Sequence, residues 1–62
     1  MTRKHFNAIA EALAAVRPEM YGPNVDVGMM YQWGTTVREM ATMCRTFNPA
    51  FDRTRFMEAC NA

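Results

Sequence analysis

Serine is absent from this 62-residue chain, histidine occurs once and cysteine twice. Those gaps leave little for catalysis. Serine chemistry is excluded, and a Cys-His nucleophile pair would need Cys44 or Cys60 to approach His5, which the sequence puts in the first turn of the first helix. Two isolated cysteines and one histidine also lack the close ligand pairs of structural zinc sites. The three glycines, Gly22, Gly28 and Gly34, have neither the spacing nor the strand-to-helix context of a phosphate-binding loop. No apolar run approaches the roughly 20 residues that span a bilayer. A signal-peptide pattern and an N-glycosylation sequon are missing as well. The expectation is a protein that is not an enzyme, holds no metal or cofactor, does not enter a membrane and resides in the cytoplasm. In that reducing compartment the two thiols should be free, and both are expected to be buried.

Charge of one sign is also in short supply, the net being +1 with 7 basic and 6 acidic residues. A generic nucleic-acid-coating role, which rests on a strong basic field, is disfavoured. What the chain has is apolar content: half its residues are hydrophobic and 7 are methionine. That suffices for one modest core, although a chain this short removes only about 60% of its unfolded surface from water. The fold class expected is all-α, a single small three-helix domain spanning 1–62, with helices over about 3–16, 25–47 and 53–60.

The reasons are local. Phe6, Ile9, Ala10, Leu13 and Val16 recur at three- and four-residue intervals, the stripe of an amphipathic helix. Thr2 can cap this helix, Met1 and Phe6 have the spacing of a hydrophobic staple, and Pro18 closes it. Arg3 and Lys4 conflict with the pattern, because the first turn of a helix prefers acidic side chains. Arg17 to Asn24, with two prolines and a glycine, reads as a loop. Asn24 or Asp26 can then cap a second helix whose Met30, Trp33, Val37, Met40, Cys44 and Phe47 follow a three-four alternation, the seam of helices packed at a shallow angle. Gly34 weakens this helix and could break or bend it. Asn48-Pro49 stops it, Asp52 caps the third helix, and Phe51 and Phe56 have the staple spacing. At barely two turns the third helix must dock, through Phe51 and Phe56, on the second.

Two candidate surfaces follow. Met30 and Met40 belong to the seam, whereas Met29 and Met43 flank it; with Tyr21 and Tyr31 they form the expected protein-binding patch, covered by a second copy or another protein. Surplus apolar groups beside a long seam lead to the expectation of a homo-oligomer, a dimer made through the second helix. The alternative is nucleic-acid binding by Arg38, Arg45, Arg53 and Arg55, which fall around the elbow between the second and third helices. Glu39, Asp52 and Glu58 are interleaved with them, so a solvated face with ordinary ion pairs is the plainer reading of those arginines.

The C-terminal residues Phe47-Asn48-Pro49, Phe51-Asp52-Arg53, Arg55-Phe56 and Ala59-Cys60 resemble the closing segment of small uncharacterised proteins encoded by tailed bacteriophages and related mobile elements. The opening Met1-Thr2-Arg3-Lys4-His5-Phe6, followed by Ile9-Ala10, is similar to their starts, while the middle, about 17–36, has no counterpart. The resemblance implies a bacterial cytoplasm during infection or lysogeny and a non-enzymatic accessory protein; that the partner is a bacterial or phage protein is the expectation drawn from the surplus apolar patch. It carries no catalytic or binding position onto this chain.

Overall fold

A computed structural model describes residues 2–61. Three helices follow one another, α1 (Arg3–Ala15), α2 (Val27–Phe47) and α3 (Arg53–Cys60), with no strand among the described residues. The proposed Met1 half of the first staple lies outside them.

α1 begins with an unusual capping box. The Thr2 backbone N–H donates to His5 Nδ1 at 3.1 Å, and the Thr2 hydroxyl meets the same nitrogen at 3.0 Å. His5 thereby takes the place usually held by a glutamate three residues past the cap. No acidic residue occupies this first turn. At the other end the Trp33 indole N–H donates at 2.9 Å to the Leu13 carbonyl, a last-turn acceptor of α1 that also receives the Val16 N–H. The Arg17 guanidinium stands 5.9 Å from the Trp33 ring centroid, a cation–π arrangement. The helix ends one residue sooner than expected, and its apolar stripe closes at Leu13: Val16 is the C-cap and is exposed.

In the connecting loop Gly22 adopts φ +100°, a left-handed conformation open to glycine at no steric cost. Of the two possible caps, Asp26 is used; its carboxylate accepts from the Met29 N–H at 3.0 Å. α2 then runs uninterrupted through Gly34. Three of its threonines turn inward on the helix: the hydroxyls of half-buried Thr36 and of exposed Thr42 and Thr46 donate to carbonyls one turn back.

The elbow is built as its residues dictate. Asn48 Oδ1 accepts from the Ala50 N–H, the Phe51 N–H donates to the Asn48 carbonyl, and Asp52 caps α3 by accepting from the Arg55 N–H at 3.0 Å. Phe51 and Phe56 meet edge to face with centroids 5.3 Å apart, the expected staple. Phe6 of α1 joins Phe51 at 4.8 Å. This aromatic chain ties α3 to α1, and α3 packs more extensively on α1 than on α2, which corrects the expectation that α2 would be its main support.

The core comprises Phe6, Ala10 and Leu13 from α1, Val37, Ala41 and Cys44 from α2, and Phe56 and Cys60 from α3. Both thiols are free and fully enclosed. The α2 seam is rotated from the one expected. Val37 and Cys44 are buried and Trp33 and Met40 pack against the core, but Ala41 has joined it and Phe47 has left it. The cause is the mismatch between a strict seven-residue repeat and a helix with 3.6 residues per turn, which drifts by about 20° per heptad unless the helices supercoil. Along the row Trp33, Met40, Phe47 the drift carries the last side chain into solvent.

The molecule is elongated, with principal extents of 39 × 16 × 15 Å and a radius of gyration of 12.2 Å. A compact chain of this length would have a radius of about 10.6 Å. Its accessible surface is 4637 Å², against about 4,100 Å² expected for a folded monomer of this mass.

Candidate functional site

Most of the exposed large apolar side chains lie on α2. Because the Leu13 carbonyl lies against Trp33, α1 ends beside that residue, and the first turns of α2, Val27 to Gln32, project beyond it. Val27, Met29 and Tyr31 are exposed on this overhang, and Phe47 is 64% exposed at the far end. At about 100° per residue, Met29, Met40, Met43 and Phe47 fall on one flank of α2. Met29 is 59% and Met43 37% exposed, while Met40 is half-buried at the edge of the core. These four share one apolar flank of the rod, with Met29 set apart from Met40 by about 16 Å of helix axis and Thr36 between them.

Tyr31 does not share that flank. Two residues from Met29, it lies about 160° away around the helix axis, in line with Arg38 and Arg45, which follow at intervals of seven. Tyr21 stands apart from both, in the loop, with 87% of its surface exposed. The single patch of Tyr21, Met29, Tyr31 and Met43 is therefore divided by helical geometry into an apolar methionine flank and a mixed tyrosine–arginine flank. Phe47 is the member that sequence periodicity missed, because the seam assigned it to the interior.

The four elbow arginines are divided too. Arg38 donates to the Thr35 hydroxyl at 3.2 Å and Arg53 reaches back to Thr42 at 3.4 Å, so Arg38, Arg45 and Arg53 lie along the tyrosine flank or its margin. Arg55 faces elsewhere, into a groove between α1 and α3 of about 490 Å³ that it shares with Arg3, Asn7, Asn48 and the rings of Phe6 and Phe51. Sequence reasoning did not assign Arg3 to a site. The signal available was its misfit to the α1 dipole.

His5 is exposed and engaged by Thr2, whereas Cys44 and Cys60 have no exposed surface. Burial pushes both thiols up from the ordinary 9.0, and the neighbouring Cys44 adds to the rise at Cys60. Neutral, enclosed thiols are poor nucleophiles. Among the described residues no group of three His, Cys, Asp or Glu is placed to share a metal ion, and no helix is long and apolar enough to cross a membrane.

Comparison with protein-family models, with curated proteins and with solved structures yields no match to this chain.

Proposed function

We propose that this chain is a non-enzymatic accessory protein, of the phage type its two ends resemble, that works in a bacterial cytoplasm by burying the methionine flank of α2 against another protein. A second copy of itself is one such partner. The observation that carries this reading is the stripe of Met29, Met40, Met43 and Phe47 on one rod, in a fold whose surface exceeds what its mass requires. Methionine adapts its shape to a partner, and Phe supplies a large anchoring area. An isologous dimer would bury the stripe twice over.

Light scattering at micromolar concentration tests self-association, with an expected mass about twice that of the 7.1 kDa monomer. The double substitution Met43→Ser and Phe47→Ser alters exposed positions, so it should leave the fold intact and return the mass to that of a monomer. If the native chain is monomeric, capture of a partner from a bacterial lysate should be lost in the same variant. Equal capture by both proteins would refute the stripe as the binding surface.

A second reading is favoured by the alignment of Tyr31, Arg38 and Arg45 at intervals of seven, with Arg53 beside them. This flank would suit nucleic acid, the arginines meeting phosphates and the tyrosine a base. Such binding should weaken steeply with salt, by roughly one unit of log-log slope per phosphate neutralised. Absence of retention on single-stranded and duplex DNA at low salt would eliminate it.

A further inference from the structure

The two helices that meet at the elbow end of the molecule both carry cations where a helix favours anions. Arg3 and Lys4 occupy the first turn of α1, Arg53 and Arg55 that of α3, and neither turn contains an acidic residue. Four of the chain's 7 basic residues are thus concentrated at two helix N-termini, which themselves carry partial positive charge. Asp52 is the one carboxylate at the rim of the groove between them, and one of its oxygens is already committed to the Arg55 N–H.

Beneath this rim the groove is apolar. Phe6 and Phe56 are nearly enclosed and Phe51 is half-buried, joined edge to face. Above them the rim is rich in donors: the guanidinium groups of Arg3 and Arg55, and the amide of Asn48, whose oxygen is taken by the Ala50 N–H. The arginine hydrogen bonds found among the described residues involve Arg38 and Arg53, not these two. A volume of about 490 Å³ accommodates one or two large side chains with their backbone.

We infer that this groove binds an acidic peptide segment of a partner protein, one apolar side chain seated on the phenylalanine floor and flanking carboxylates held by Arg3 and Arg55. Charge complementarity selects the occupant. Carboxylates would relieve the like-charge crowding of two helix starts and would pair with guanidinium groups in fork geometry. A nucleic acid fits less well, because its bases need open ring faces for stacking and the floor rings are locked against one another. No residue from the body of α2 lines the groove, so this site is independent of the methionine stripe.

The test is fluorescence anisotropy of the full chain with a fluorescein-labelled peptide Glu-Asp-Leu-Phe-Asp-Glu at low salt. Saturable binding is expected, weakening as salt is raised. The neutral counterpart Gln-Asn-Leu-Phe-Asn-Gln should fail to saturate. The double variant Arg3→Gln and Arg55→Gln should lose about tenfold or more in affinity. Its melting temperature should be equal or higher, since both changes remove a cation from a helix N-terminus, so weaker binding could not be ascribed to unfolding. Phe47→Ser should bind as the native chain does. Undiminished binding by the double variant, equal binding of the neutral peptide, tighter binding of a single-stranded oligothymidylate through the same two arginines, or no saturable peptide binding would each overturn the proposal.

Discussion

Replacing Gly34 by alanine tests whether α2 is one continuous rod, the condition for Met29 to share a flank with Met40, Met43 and Phe47. Glycine inside a helix costs about 1 kcal/mol relative to alanine. At Gly34 an added Cβ would lie 3.5 Å from the Arg38 guanidinium, an ordinary contact with the end of a flexible side chain. The gain should therefore be kept, at about 0.5–1 kcal/mol, which for a domain of this size raises the melting temperature by about 3–8 °C. Gly28 is the internal control. A Cβ there would stand 3.2 Å from the Asp26 carboxylate oxygen, the atom that caps the helix through the Met29 N–H. That oxygen must yield, and the cap is worth about 1 kcal/mol, so Gly28→Ala should be close to neutral. Urea and thermal unfolding followed by far-ultraviolet circular dichroism measure both. A Gly34→Ala chain no more stable than the native one would mean that α2 is not helical through that residue, and the stripe would lose its geometric basis.

Other expectations follow from single contacts. Asp52→Ala removes the cap of an eight-residue helix and should cost about 1 kcal/mol, seen as a lower urea midpoint; no change would mean that α3 is held by the aromatic contacts alone. Phe56→Ala empties a nearly enclosed position that anchors the aromatic chain and should cost about 3–5 kcal/mol, much or all of the stability a domain this small possesses, so circular dichroism should report a largely unfolded chain. The raised thiols make stability fall in alkali. Their contribution is fully present below 9.0, the ordinary value, and is lost as pH rises through the higher folded values, because the unfolded chain gives up its thiol protons first. Urea midpoints measured from neutral to alkaline pH should fall less steeply in Cys60→Ala than in the native chain.

The elements and their ends were legible because each rests on local chemistry. Thr2, Asp26 and Asp52 precede their helices, Pro18 follows α1, and Asn48-Pro49 divides α2 from α3, so the boundaries needed no tertiary information. The Phe51–Phe56 staple was legible for the same reason, whereas the free, buried thiols were expected from the reducing compartment. What the sequence concealed depends on how helices lie beside one another. Periodicity assigned Phe47 to the seam and left Ala41 out, since a seven-residue count ignores the rotation that accumulates along an unsupercoiled helix. It also gathered Met29 and Tyr31 into one patch through nearness in the chain, although two residues of helix place them on nearly opposite sides. The groove was hidden because Phe6 and Phe51 are 45 residues apart in the numbering and meet only in the fold.

The overhang of α2 provides the last prediction. With 21 residues it is about 31 Å long, against about 20 Å for the 13 residues of α1 and 12 Å for the 8 of α3. Since α1 ends beside Trp33, the turns carrying Met29 and Tyr31 have few neighbours from which to draw stability, whereas Val37, Ala41 and Cys44 are buried in the core. Amide protons near Tyr31 should exchange through local opening, faster than those from Val37 to Cys44, which require global unfolding. A partner seated on the methionine flank would slow exchange at the overhang and near Phe47 together. An acidic peptide in the groove would leave the overhang unchanged and protect the amides around Phe51. Uniform exchange along α2 in the free chain would mean that its first turns are supported by contacts this fold does not provide, and that the exposed stripe is not the surface it presents in solution.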